Sequence, residues 1–228
     1  NIEDRILALT KIEASNIAAG AVASSGFIGY TVYTGGATWL KSANTPTKIV
    51  VEVQGGGGSS GSGDSNWMFG GSGGSAGYVR KFIDVTLLTS ATIVVGAGGV
   101  KNNGTSAGNS SWIDNLGTNT LTGGAGGNGT NGASPSTKGV GGLGGTATGG
   151  DLNVTGVSGC FGGATNRTML QGSYLSSGGN GDVLQRTTGD YGIATAGKSY
   201  GGGAGCGAGN NVAIDGADGG VGVVIVWE

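Results

Sequence analysis

KIVVEVQGGGG, residues 48–58, joins two kinds of structure within eleven residues. The first seven alternate. Ile49, Val51 and Val53 fall on one side and Lys48, Val50, Glu52 and Gln54 on the other, the period-two pattern of a β-strand. The glycines that follow have no side chains to pack, yet they keep a rhythm. Gly55, Gly58 and Gly61 are spaced by three, as are Gly71, Gly74 and Gly77, then Gly123, Gly126, Gly129 and Gly132, then Gly139, Gly142 and Gly145, and last Gly216, Gly219 and Gly222. A left-handed polyproline-II-type helix has three residues per turn and rises ~3.1 Å per residue. Glycine at every third position gives such a helix a bare stripe along which another backbone can lie.

That helix has no internal hydrogen bonds, so its N–H and C=O groups need lateral partners. Proline sets the right φ but deletes the donor. The chain accordingly holds 56 Gly but only 2 Pro among 228 residues, which also excludes collagen. The opposing term is entropy, ~0.5–1 kcal/mol per glycine relative to alanine in regular structure. Residues 97–220 contain 38 Gly. Only dense mutual bonding between helices offsets a cost of that size, so the sequence predicts a packed bundle of polyglycine II helices. A flexible linker would not end in VVIVW.

Around these blocks lie apolar runs that read as strands: 27–33, 37–41, 48–54, 78–87, 91–96 and 221–227, with Leu88–Ser90 as a turn. The first and last are far apart in sequence. The expected fold is therefore mostly β and irregular, a small antiparallel β-sandwich enclosing the glycine-rich bundle. Residues 1–25 form a separate lead. There Ile2, Ile6, Leu9 and Ile12 recur at helical spacing, and Ile17 continues the apolar thread. A helix this short needs a partner, so the lead is expected to be an oligomerising shaft and 26–228 the domain it carries.

Between the glycine blocks, residues 64–69, 100–122, 151–155, 164–175, 182–196 and 210–215 read as loops, although SSWI (110–113), around Trp112, also fits a sandwich strand. Loops on a rigid scaffold are where binding residues gather. Trp67, Met68 and Phe69 crowd one loop; Arg167, Met169, Leu170, Tyr174 and Leu175 occupy another, and Tyr191 a third. These are residue types that binding surfaces favour.

Composition excludes several chemistries. The chain has no His, so His-based triads and His-ligated metals are ruled out. Two Cys cannot make a four-thiolate zinc site. A net charge of −2 gives no nucleic-acid footprint, and no apolar run reaches the ~20 residues of a membrane span. Gly192 to Ser199 satisfies G-x4-G-K-S, but the glycines after it cannot propagate the helix a phosphate loop requires. GAGGNG, 124–129, satisfies G-x-G-x-x-G without a βαβ unit. Neighbouring Asn stands where a calcium repeat needs Asp. Asp182 with Asp190, or Asp215 with Asp218, would be the carboxylate pairs of a hydrolase. Cys160 and Cys206 lie among glycines, and either thiols or a disulfide would fit there.

KIVVEVQGGGG (48–58), TIVVGAGG (92–99) and GGVGVVIVWE (219–228) together resemble the glycine-rich receptor-binding tips of bacteriophage tail fibres. IEDRILALTKIEASNIAAGAV, residues 2–22, is similar to the shaft segments of trimeric tail fibres. The resemblance implies a tip that adheres to the bacterial surface, through an outer-membrane protein or a lipopolysaccharide glycan. It places the chain at the distal end of a virion's tail fibre, assembled in the host cytoplasm. The shaft-like lead, running straight into the β region, favours a homotrimer. No enzyme activity, cofactor, metal, nucleic-acid partner or membrane insertion is expected. An ice-binding protein on the same bundle is the alternative, and a surface-polysaccharide hydrolase a lesser one.

Overall fold

The computed structural model describes residues 29–63, 70–102, 104–132, 138–162, 174–175, 194–206 and 214–228. Ten strands run in chain order: β1 Tyr30–Tyr33, β2 Ala37–Leu40, β3 Lys48–Gln54, β4 Tyr78–Asp84, β5 Ser90–Val94, β6 Ser110–Asp114, β7 Thr120–Gly123, β8 Ala147–Thr148, β9 Leu152–Val154 and β10 Val223–Trp227. They form two antiparallel sheets of five, ordered β1-β10-β3-β4-β9 and β2-β5-β6-β7-β8. The short links β1–β2 and β8–β9 each step from one sheet to the other. Among the described residues there is no helix. The expected N-terminal helix and the 25/26 boundary lie outside the described residues.

The sheets face each other across a conventional apolar core. Ile49, Val51 and Val53 of β3 meet Val79, Ile83, Val224 and Val226 on their own sheet and Trp39, Ile93, Trp112 and Leu121 on the other. The alternation read in 48–54 therefore sets the inward face. β3 has the expected bounds, whereas β4 stops at Asp84 and the turn sits at Thr86–Leu87, with Ser90 already in β5. The expected loops 100–122 and 151–155 are corrected in part: they hold β6, β7 and β9. Only Trp112 and Leu121 of β6 and β7 enter the core, too few large residues for a period-two signal. Polar chemistry holds that hairpin instead. The Asp114 carboxylate accepts from the N–H groups of Leu116, Thr118 and Asn119 and from the side chains of Thr118 and Asn119.

The glycine-rich stretches are ribs that prolong the strands in the same register. Gln54 faces Tyr78 in the sheet; beyond it Gly55, Gly58 and Gly61 donate to the carbonyls of Gly77, Gly74 and Gly71. Val223 faces Gln54; beyond it Gly57, Ser60 and Gly63 donate to Gly220, Ala217 and Ile214. Gly123 faces Ala147; beyond it Gly124, Gly127 and Thr130 donate to Thr146, Leu143 and Val140. Tyr78 faces Val154; beyond it Ser75 and Ser72 donate to Val157 and Cys160.

Consecutive residues of a rib address different neighbours, and the pattern repeats at three. Along 70–77, Gly71, Gly74 and Gly77 bond the 124–130 rib, Ser72 and Ser75 the 157–160 rib, and Gly73 and Ala76 the 201–204 rib. Every residue of 70–79 is buried, as is every residue of 55–61. These two ribs are the interior, and nearly all their contacts are backbone. A Cβ added at Gly74 would overlap the Leu143 carbonyl oxygen, and one at Gly58 the Gly127 carbonyl oxygen.

Gly74→Ala is expected to cost about 3 kcal/mol or more, because the obstacle is backbone and cannot rotate away. In a domain of this size that is a fall of about 6–12 °C in melting temperature. Gly35→Ala, whose Cβ would meet nothing within 4 Å, is the control and should shift melting by less than about 0.5 kcal/mol. Equal effects would show that close approach is not what glycine supplies.

Candidate binding surface

The molecule has two unlike ends. Gly29 and Glu228 bond each other reciprocally, N–H to carbonyl at 2.9 Å both ways, so the strand that begins the domain and the one that ends it meet at one end. At the other end β3 runs into Gly55, β7 into Gly124 and β9 towards Gly156, while β4 and β10 start from Gly77 and Gly222. Gly29 thus opens β1 at the end of the sandwich opposite the ribs.

Of the residues expected to bind, Tyr174 and Leu175 are described. Trp67, Met68, Phe69, Arg167, Met169, Leu170 and Tyr191, and the shaft positions Ile2, Ile6, Leu9, Ile12 and Ile17, lie outside the described residues. Tyr174 stacks on Tyr78, with ring centroids 4.2 Å apart and planes at 23°. Beside it the Leu175 N–H donates to Gln54 Oε1 at 3.3 Å, and Gln54 Nε2 donates to the Ala76 carbonyl at 2.9 Å. The buried amide at the end of β3 thus ties this turn to the last residues of the 70–77 rib.

Tyr78 is itself buried above a short row of polar groups. Burial pushes its hydroxyl well above the usual tyrosine range, and the Glu52 carboxylate to which it donates pushes it further. Arg80 Nε lies 3.7 Å from Glu52, and its guanidinium sits over the Phe82 ring, 5.5 Å from the centroid. Tyr174, by contrast, is 59% exposed. It closes a cleft of about 220 Å³ whose other walls are Ser75, Ala76 and Val154–Val157.

Beyond the cleft lie the two outer ribs, 139–145 and 156–162. Gly156, Gly159 and Gly162 donate to Gly145, Gly142 and Gly139, which sets Phe161 level with Val140 and Val157 level with Gly144. Glycines 139, 142 and 145 face inward, where a Cβ would strike the 124–130 rib. Val140 and Leu143, one step on from these glycines, are 49% and 76% exposed, and on the partner rib Val157, one step after Gly156, and Phe161, one step before Gly162, are 55% and 70% exposed. The sequence reading, which placed binding on loops, missed this strip. Its signal was the apolar triplet phase Val140, Leu143, offset by one from the glycines.

Other motifs turn out to serve the scaffold. The N–H groups of Gly124, Gly126, Gly127 and Gly129 are all spent on neighbouring ribs, so G-x-G-x-x-G cradles no phosphate there. Of the phosphate-loop match, Gly192 lies outside the described residues, and a turn at Ser199–Gly201 follows Lys198. Asn128 and Asn131 accept from the N–H groups of Ser59 and Ser62 through Oδ1, so their amides take the place of rib carbonyls. Asp215 pairs with Lys101 at 2.7 Å and accepts from Asn102 Nδ2, and Asp218 accepts from the Lys101 N–H. Asp182 and Asp190 lie outside the described residues. Cys160 and Cys206 form no disulfide. Burial pushes the Cys206 thiol up, and nearby Cys160 adds to this.

A model of the glycine-rich domain matches residues 31–227. The chain belongs to this family. The match spans β1 to the end of β10, so the family unit is the sandwich together with its ribs. No curated protein matches the chain.

The raised Tyr78 hydroxyl fixes a pH dependence. Its contribution to stability is complete below the unfolded tyrosine value of about 10 and is lost as pH rises past it. Melting temperature should therefore fall between pH 10 and 12, and Tyr78→Phe should flatten that fall. An unchanged alkaline slope in the variant would remove Tyr78 as its source.

Proposed function

We propose that the chain is the host-recognising tip of a bacteriophage tail fibre. On this reading the ribs are polyglycine II helices, three residues to the turn, and three copies of the chain join through residues 1–25. The assembly stands at the distal end of the fibre on the virion and adheres to a bacterial surface receptor, an outer-membrane protein or a lipopolysaccharide glycan. Its work is binding, not catalysis.

The single observation that carries this reading is the rib lattice set opposite the paired Gly29 and Glu228. A domain held at one end and stiffened at the other by bonds in three directions suits a tip pressed against a cell. The three-residue repeat of donors along 55–63 and 70–77 supports the helical conformation. The resemblance of 48–58, 92–99 and 219–228 to phage tips supports the role. A rigid platform loses little entropy on contact, and several copies turn weak contacts into firm attachment.

The purified chain should adhere to bacterial cells and compete with phage adsorption. Trp67→Ala or Tyr174→Ala should lower adhesion about tenfold, the scale of a binding hot spot, with folding left intact. Amide exchange should be slowest at 70–77. Coil-like exchange there, or a chain that adheres to no bacterium, would end the proposal.

A further inference from the structure

The outer ribs carry a surface that the loop-based reading of the tip leaves unused. Val140, Leu143, Phe161 and Val157 stand outward on 139–145 and 156–162, and Val157 runs into the cleft closed by Tyr174. We propose that this strip and cleft take an uncharged, apolar segment of a protein receptor, with one side chain seated between Tyr174 and Val157. The inference rests on the adhesin reading and names the receptor's class.

Three observations select that occupant. The first is charge. From 139 to 162 the one charged residue is Asp151, whose carboxylate accepts from the Phe82 N–H at 2.9 Å, so these ribs carry no cation for the phosphates or carboxylates of an acidic glycan. The second is the state of the polar groups. The Ser75 hydroxyl is already engaged with Val157, accepting from its N–H at 2.7 Å, and the Ser72 hydroxyl accepts from the Cys160 N–H at 2.6 Å. The Gly144 N–H is taken by Ser158 Oγ at 3.1 Å and the Val140 N–H by Thr130 Oγ1 at 2.8 Å. A sugar needs several free donors and acceptors, whereas an apolar side chain needs none. The third is area. Seven residues at ~3.1 Å each, two ribs wide, make a strip on the order of 200 Å². A free-standing pair of copies needs ~800 Å² per partner, so the strip is too small to join two copies of this chain. It is large enough for one strand or loop of a receptor, and repetition across a fibre multiplies it.

The strip is rigid for the same reason the bundle is. Val140, Leu143 and Val157 each sit one residue from a glycine closed in by neighbouring backbone, and Phe161 sits beside Gly162, whose N–H donates to the Gly139 carbonyl. Receptor docking there orders little that is not already ordered.

The test uses the intact chain on bacterial cells to which it adheres, either shaved with proteinase K or oxidised with periodate. Shaving should lower bound protein at least tenfold, and periodate should leave it within twofold. Leu143→Asp and Phe161→Asp should each lose at least tenfold, with melting temperature and slow exchange at 70–77 retained. Leu143→Ser provides a milder variant should the charge disturb folding. Leu116→Asp, on the exposed turn after β6 at the opposite end, should adhere as wild type. Adhesion that survives shaving and is lost to periodate, or that is unchanged in the Leu143 and Phe161 variants, overturns the inference and leaves the adhesin reading standing. A wild-type chain that adheres to no cell overturns both.

Discussion

The lateral hydrogen bond between one rib backbone and the next is the interaction on which the molecule depends. A rib has no bonds of its own to fall back on. Each lateral bond is worth ~0.5–1.5 kcal/mol net, no more than the ~1–2 kcal/mol that fixing one residue's backbone costs. Two ribs alone therefore gain almost nothing. A central rib such as 70–77, which donates to three neighbours in turn, gains from all of them at once. Stability then belongs to the lattice and not to any pair, and a Cβ inserted in one stripe disturbs several ribs together.

The sandwich supplies what such a lattice lacks, a place to start. Its core of Ile49, Val51, Val53, Trp39 and Trp112 is an ordinary hydrophobic one and is stabilised in the ordinary way. Antiparallel pairing fixes register, because a slip of one residue would turn the inward face outward. That register passes unbroken into the ribs: Gln54 opposite Tyr78 leads to Gly55 on Gly77, and Gly123 opposite Ala147 leads to Gly124 on Thr146. The apolar core thus decides which glycine meets which, and polar side chains repair the gaps. Asn128 and Asn131 lend amide oxygens where the 55–63 rib has no carbonyl to reach.

Much of this was legible from residue order. The alternation in 48–54 marked β3 and its inward face, and the glycine triplets marked the ribs. Two features were missed wholly or in part for physical reasons, the strand reading of SSWI being the part of β6 and β7 that was legible. β6 and β7 bury one large residue each, Trp112 and Leu121, and are otherwise held by the Asp114 turn, so their strand signal is polar and local. The outward strip escaped because Val140, Leu143 and Phe161 look like filler among glycines. Their exposure follows only once it is known which third of each rib faces its neighbours, and that depends on partners distant in sequence. The stack of Tyr174 on Tyr78 is long-range in the same sense: nothing in the local sequence sets the two rings together.

An interior built from backbone has a consequence for the outside. In an ordinary domain the side chains that pack the core and those that meet a partner compete for the same few elements. Here the inward stripe is glycine and needs no particular side chain, so the outward positions of the same rib are released from packing. Leu143 can be 76% exposed one residue from a glycine closed in by backbone. A rib can therefore change what it presents without changing what holds it. The flank of a rib thus combines a free choice of side chain with a backbone fixed by its neighbours, and a surface built that way loses little entropy on any contact it makes.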